Sequence, residues 1–201
     1  MPLRSFLASP PRAVAAFAWG LAFVAGCSSS DRLESAGVRL RPPAGWKAVP
    51  HATWPVTGVP LAAWSGPGGA SLVVHRSLPT TDDTAQGLAE GLVNRLENLP
   101  GLRVISSGTE TVAGAPAARV EVTAPGFGDS LAPTGMGKPV ALDGKTLQPT
   151  RRVEVTIPRR DDTITLDWHA PEADANALAA TVRETLKSLT IRRDRPSTAT
   201  Y

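Results

Sequence analysis

Four segments alternate apolar and polar residues with a period of two, and that pattern restricts the chain to folds built on a one-faced sheet. Leu72, Val74 and Leu78 alternate with Ser71, His75 and Ser77; Ala118, Val120 and Val122 with Arg119, Glu121 and Thr123. Val153, Val155 and Ile157 alternate with Arg152, Glu154 and Thr156; Ile164, Leu166 and Trp168 with Thr163, Thr165, Asp167 and His169. A period of two predicts strands with one buried face and one wetter face. Pro158 to Asp162 is a polar turn, so the last two strands form an antiparallel hairpin.

A one-faced sheet needs cover, and two amphipathic stretches supply it. The first spans about Thr84 to Asn98, with Ala85, Leu88, Ala89, Leu92, Leu96 and Leu99 in one stripe. Asp83 with Gln86 resembles a capping box at its start, and Pro100-Gly101 ends it. The second spans about Pro171 to Ser188, with Ala175, Leu178, Ala179, Val182, Leu186 and Leu189 on its apolar face. The expected class is α+β, an antiparallel sheet sandwiched by helices.

The N-terminus addresses location. Arg4 and Arg12 precede a short apolar run, Ala13 to Ala25, which ends in Val24-Ala25-Gly26-Cys27. The run is shorter than the ~20 residues of a membrane span and fits a signal h-region. Those four residues resemble the lipobox of bacterial lipoproteins. That resemblance implies cleavage before Cys27 and lipidation of its thiol, which anchors the chain on the extracytoplasmic face of the cell membrane. Two or more acyl chains make such anchoring stable. The expected divisions are a signal peptide at 1–26, a tether at 27–36, one domain at 37–191 and a polar tail at 192–201. Cys27 is the single cysteine, so with the thiol lipidated no disulfide or thiol chemistry remains for the domain. Cleavage removes Arg4 and Arg12 and leaves nineteen basic against eighteen acidic residues. Export with so balanced a charge argues against a nucleic-acid partner.

Val38-Arg-Leu-Arg-Pro-Pro-Ala-Gly-Trp46 resembles the opening strand and Pro-x-Gly-Trp turn of PsbP-like domains, and Val112-Ala-Gly-Ala-Pro-Ala117 the turn those domains place before a central strand. The order of elements, ending in a short apolar segment at Ile191, is similar too. LpqN-type lipoproteins of actinobacteria join this domain to the same kind of anchor. The resemblance spans about Val38 to Ile191 and implies a non-enzymatic binding or accessory role, with no catalytic residue to carry over.

Several local patterns invite chemistry. Phe127-Gly-Asp-Ser-Leu131 spells the signature of the GDSL esterases, with Ser130 as nucleophile. Ser130 lies mid-chain, and Asp167-Trp-His169 has the wrong spacing for that family's acid–base pair. Gly144-Lys145-Thr146 lacks the preceding glycine of a phosphate loop, since Pro139 stands there. His75 and His169 with Asp167 form a candidate metal set, while His51 stands apart. The doublets Asp82-Asp83 and Asp161-Asp162 suit a helix start and a turn. No metal or cofactor is expected.

Ala124 to Thr150 holds five glycines and four prolines between two good strands. Loops this long are uncommon in compact domains and are often functional or disordered. Trp54, Trp64, Phe127 and Met136 are the candidate contacts to a partner or ligand; Trp46 reads as structural. The leading expectation is a membrane-anchored, non-catalytic module that binds an envelope protein. The alternative is a carrier or sensor of a small apolar molecule such as a lipid. A carrier needs an internal cavity of a few hundred cubic ångströms between sheet and helices.

Overall fold

Alternation and helical stripes resolve into two sheets and two helices in a computed structural model that describes residues 32–49, 58–79, 84–99, 101–124 and 149–192. The strands are β1 (Leu33–Ser35), β2 (Val38–Leu40), β3 (Lys47–Ala48), β4 (Val59–Ser65), β5 (Ser71–Ser77), β6 (Arg103–Val112), β7 (Ala115–Ala124), β8 (Thr150–Pro158), β9 (Thr163–Pro171) and β10 (Thr190–Ile191). Helix α1 is Ala85–Glu97 and α2 is Ala175–Ser188. The large sheet runs β3-β4-β5-β9-β8-β7-β6 with every pairing antiparallel, and β1-β2-β10 form a small second sheet. The fold is α+β, as the sequence pattern requires, with the expected hairpin between β8 and β9.

Opposed residues of antiparallel strands point to the same face, so the register assigns each side chain. One face carries the row Trp64, Leu72, Trp168 and Val153 across β4, β5, β9 and β8. Leu178 and Val182 of α2 and Leu33, Val38 and Leu40 of the small sheet join it in one core. On the other face α1 sets Ala89, Leu92 and Leu96 against Ala118, Val120 and Val122 of β7. Each fully buried aliphatic side chain contributes about 1.5–3 kcal/mol. The helices therefore lie on opposite faces.

Several expectations change. Leu78 is 83% exposed, because β5 ends at Ser77 and the inward alternation stops with it. The cap of α1 is Thr84, whose Oγ1 accepts from the Gly87 amide, while Gln86 bonds Glu90. Helix α2 starts at Ala175, after Pro171 has closed β9 and Glu172–Asp174 have made a 3-10 turn. Leu33 is buried and β1 pairs with β2, so the folded part begins inside the expected 27–36 tether. Strands β4 and β6 add to those that alternation marked. The wetter face is the largest correction: Arg152, Glu154, Thr156, Thr165 and Asp167 alternate as expected but are buried.

Candidate functional site

Charges on a buried sheet face require partners, and the register of β8 against β9 provides them. Glu154 stands directly opposite Asp167, and Arg152 opposite His169. Two carboxylates side by side in a dry setting repel unless a cation joins them. The Arg152 guanidinium does so. Its Nε donates to Asp167 Oδ1 at 2.8 Å and its Nη2 to Asp167 Oδ2 at 2.9 Å, a bidentate fork. The same Nη2 donates to Glu154 Oε2 at 2.6 Å. Thr156 Oγ1 donates its one proton to Glu154 Oε1 at 3.3 Å, so Thr165 donates to Thr156 at 3.2 Å. His169 Nε2 lies 3.2 Å from Asp167 Oδ1.

Burial by itself would raise the Asp167 carboxyl, but the charge of Arg152, then that of His169, outweighs it and holds the group well below the usual carboxylate range. Burial likewise works against the Arg152 cation, and the charges of Asp167 and Glu154 more than compensate. The cluster is thus a closed ion network that ties β8 to β9. Held in its charged form, Asp167 does not stand ready to donate a proton.

Ser71 stands opposite His169 on β5, which places serine, histidine and aspartate on one face. They do not form a nucleophile. The Ser71 Oγ is buried with no hydrogen-bond partner among the described residues, while His169 Nε2 turns to Asp167 and Arg152 takes both Asp167 oxygens. His75 pairs with Thr165, four positions along β9 from His169, a separation of about 13 Å at the usual strand rise. The metal set His75, His169 and Asp167 is therefore not brought together, and no cluster among the described residues is placed to hold a metal ion.

Trp64, a candidate contact residue, is 2% exposed at the centre of the core and presents no surface to a partner; the period-two row it shares with Leu72 and Trp168 takes it inside. Trp46 is half-buried, packed on that core, and its ring lies against Gly66. Cys27, Trp54, Phe127, Met136, Ser130, His51 and Gly144–Thr146 lie outside the described residues. Asp162 is buried at the β8–β9 turn, where both its oxygens accept from Arg159.

At the opposite end of these strands a second network grips the points where residues 125–148 leave and rejoin the sheet. Ala124 and Thr150 are paired neighbours, so a hairpin that two residues could close carries twenty-five instead. Arg151 beside Thr150 donates Nε to Glu172 Oε2 at 3.0 Å and Nη1 to Glu121 Oε1 at 2.8 Å. Thr123 Oγ1 donates to the same Glu172 oxygen at 3.0 Å, and the Glu172 amide to Pro149 O at 2.8 Å. The hydrogen bond from Arg151, then that from Thr123, draws the Glu172 carboxyl below its ordinary value against the small cost of burial.

Surface recesses are lined by described residues at two places near the β8–β9 turn and the small sheet. One, about 460 Å³, is lined by Glu34–Arg39 and Thr190–Arg192; the other, about 570 Å³, lies between the start of α1 and Pro158–Arg160. The space between the large sheet and α2 is filled by Trp64, Leu72, Trp168, Leu178 and Val182. That packing counts against a carrier.

No protein-family model matches the chain, and no curated protein does. Its fold is similar to that of LpqN of Mycobacterium tuberculosis, a protein involved in cell envelope biogenesis, at 16% identity and TM-score 0.52, over 77% of this chain and 82% of that one. It is similar also to cyanobacterial PsbP (CyanoP) of Synechocystis sp. PCC 6803, at 13% identity and TM-score 0.52, over 86% of this chain and 99% of that one. The chain has the PsbP/LpqN-like fold. At these identities the likeness extends to the fold alone.

Proposed function

We propose that this chain is a non-catalytic binding or accessory module, held by lipid at Cys27 on the extracytoplasmic face of the cell membrane, that engages an envelope protein. The observation that carries the reading is the contrast between two ends of chemistry. The chemistry-bearing side chains at the sheet centre are locked to one another by Arg152. The long excursion at 125–148, by contrast, springs from a clamped stem at a place where the fold needs only a short turn. Phe127 and Met136 on that excursion, with Trp54, are the proposed contacts. Anchoring rests on the sequence at Val24–Cys27. That LpqN is involved in cell envelope biogenesis supports the assignment to the envelope.

The test is crosslinking in the native host, read by mass spectrometry, for the wild-type chain and for a chain in which residues 126–147 are replaced by a two-residue Asn-Gly turn. Loss of specific crosslinks, with the circular dichroism spectrum preserved, is the expected result. Identical crosslinks from both chains would refute the assignment of the partner surface to the excursion.

A further inference from the structure

The β8–β9 turn, the β1–β2 turn and the end of β10 meet at one corner, and the charge there is lopsided. Arg159 Nη1 donates to Ala36 O at 2.8 Å, and the Arg192 amide donates to Gly37 O at 2.7 Å. Around this corner, among the described residues, stand Arg39, Arg76, Arg159, Arg160 and Arg192, against Glu34, Asp161 and Asp162, while Arg32 lies at the far end of β1. Five arginines against three acids give an excess of two positive charges there, in a chain whose lipidated form would carry an excess of one. Acid is therefore concentrated elsewhere. Asp162 is spent on Arg159, and Glu34 on Arg39 at 2.6 Å, whereas Arg32, Arg160 and Arg192 are exposed and have no ion-pair partner among the described residues. The 460 Å³ recess between Arg39 and Arg192 opens on the same surface.

Chain length bounds the distance from this corner to the anchor, on the reading that Cys27 carries lipid. Four residues lie between Cys27 and Arg32, a reach of at most about 17 Å. Strand β1 begins at the next residue and adds about 13 Å to the corner, which therefore lies within about 30 Å of the anchor. Each arginine beside an anionic leaflet is worth about 1 kcal/mol, roughly a fivefold shift in population, within a Debye length of about 8 Å.

We propose that this corner docks on the anionic phospholipid headgroups of the membrane that holds the anchor, with Arg160 and Arg192 as the contacting cations, Arg32 adding its charge beside the tether, and the Arg39–Arg192 recess seating a headgroup phosphate. Docking there points β7 and β8 away from the bilayer. Their ten and nine residues then lift the stem of the 125–148 excursion about 30 Å from the surface. The tether and the arginines together would present the partner end outward.

The test uses the full chain matured and purified from its host's membranes, with its intact mass recorded, then reconstituted in vesicles of phosphatidylcholine alone or with about one third phosphatidylglycerol. Hydrogen exchange is followed by mass spectrometry. Amides of Ser35–Arg39 and Arg159–Asp162 should exchange at least ~5-fold more slowly on the anionic vesicles, and the difference should vanish at ~0.5 M salt. The double variant Arg160→Gln/Arg192→Gln should lose it at low salt. Equal exchange on both vesicles, or protection at the stem of the excursion instead, overturns the docking while a lipidated mass leaves the anchor standing. A mass without lipid overturns the anchor and the docking with it. Salt sensitivity in the wild-type chain keeps the proposal testable even if the double variant fails to fold.

Discussion

Replacing Arg152 with methionine should cost far more than removing one surface charge. The Arg152 side chain is 9% exposed and its two partners 11% and 10%, so methionine keeps the apolar stem but leaves Glu154 and Asp167 buried side by side without a cation. Breaking a buried pair in this way costs about 3–5 kcal/mol. At ~2–4 °C per kcal/mol for a domain of this size, the midpoint should fall by about 6–20 °C. Urea unfolding followed by far-UV circular dichroism and by fluorescence of the buried Trp64 and Trp168 gives the free energy. A companion triple variant, Arg152→Met/Glu154→Leu/Asp167→Leu, removes all three charges and should recover most of the loss, because well-packed apolar replacements of a buried network are often neutral. The pH dependence has a definite sign. In the wild type, Asp167 sits below its unfolded value, so its contribution is present above the ordinary carboxylate range and fades as pH falls toward the folded value. In Arg152→Met, burial dominates and raises Asp167, so the variant gains relative stability on acidification. The gap between the two should narrow between about pH 7 and 4. A loss below ~1 kcal/mol, the range of exposed pairs, would refute the claim that this network is dry.

Gly66→Ala should destabilise by about 1–3 kcal/mol in the same urea assay, since its Cβ would lie 2.4 Å from the Trp46 ring; an unchanged midpoint would show that Trp46 is not packed there. Ala113→Asn should raise stability by ~0.5–1 kcal/mol, because Ala113 holds φ +50° at the first central position of the β6–β7 hairpin turn, where asparagine is at ease. A decrease would mean that the alanine methyl makes contacts the turn geometry does not reveal.

How far the sequence could be read follows from what each signal measures. Alternation located β5, β7, β8 and β9 because their apolar side chains meet two fully covered faces. It said little about β6, an edge strand of Ser, Thr and Gly with only Val112 buried. It also could not say that the polar half of β8 and β9 is buried, since period two reports alternation and not accessibility. A further step was available. Closing the hairpin at Pro158–Thr163 sets Glu154 opposite Asp167, and two opposed acids demand a cation. Arg152, two residues along, was the legible answer. Trp64 misled because an aromatic among Pro and Gly suggests exposure, whereas the register with Leu72 takes it inside. The bulge between Pro60 and Ala62 disrupts the alternation that would have shown this.

The most direct measurement is the intact mass of the protein isolated from the membrane fraction of its own host. A chain beginning at Cys27 and carrying the added mass of a diacylglyceryl group, with or without an N-acyl chain, is the expected result. A chain that keeps residues 1–26, or one cut elsewhere and free of lipid, would contradict the membrane-anchored module at its root.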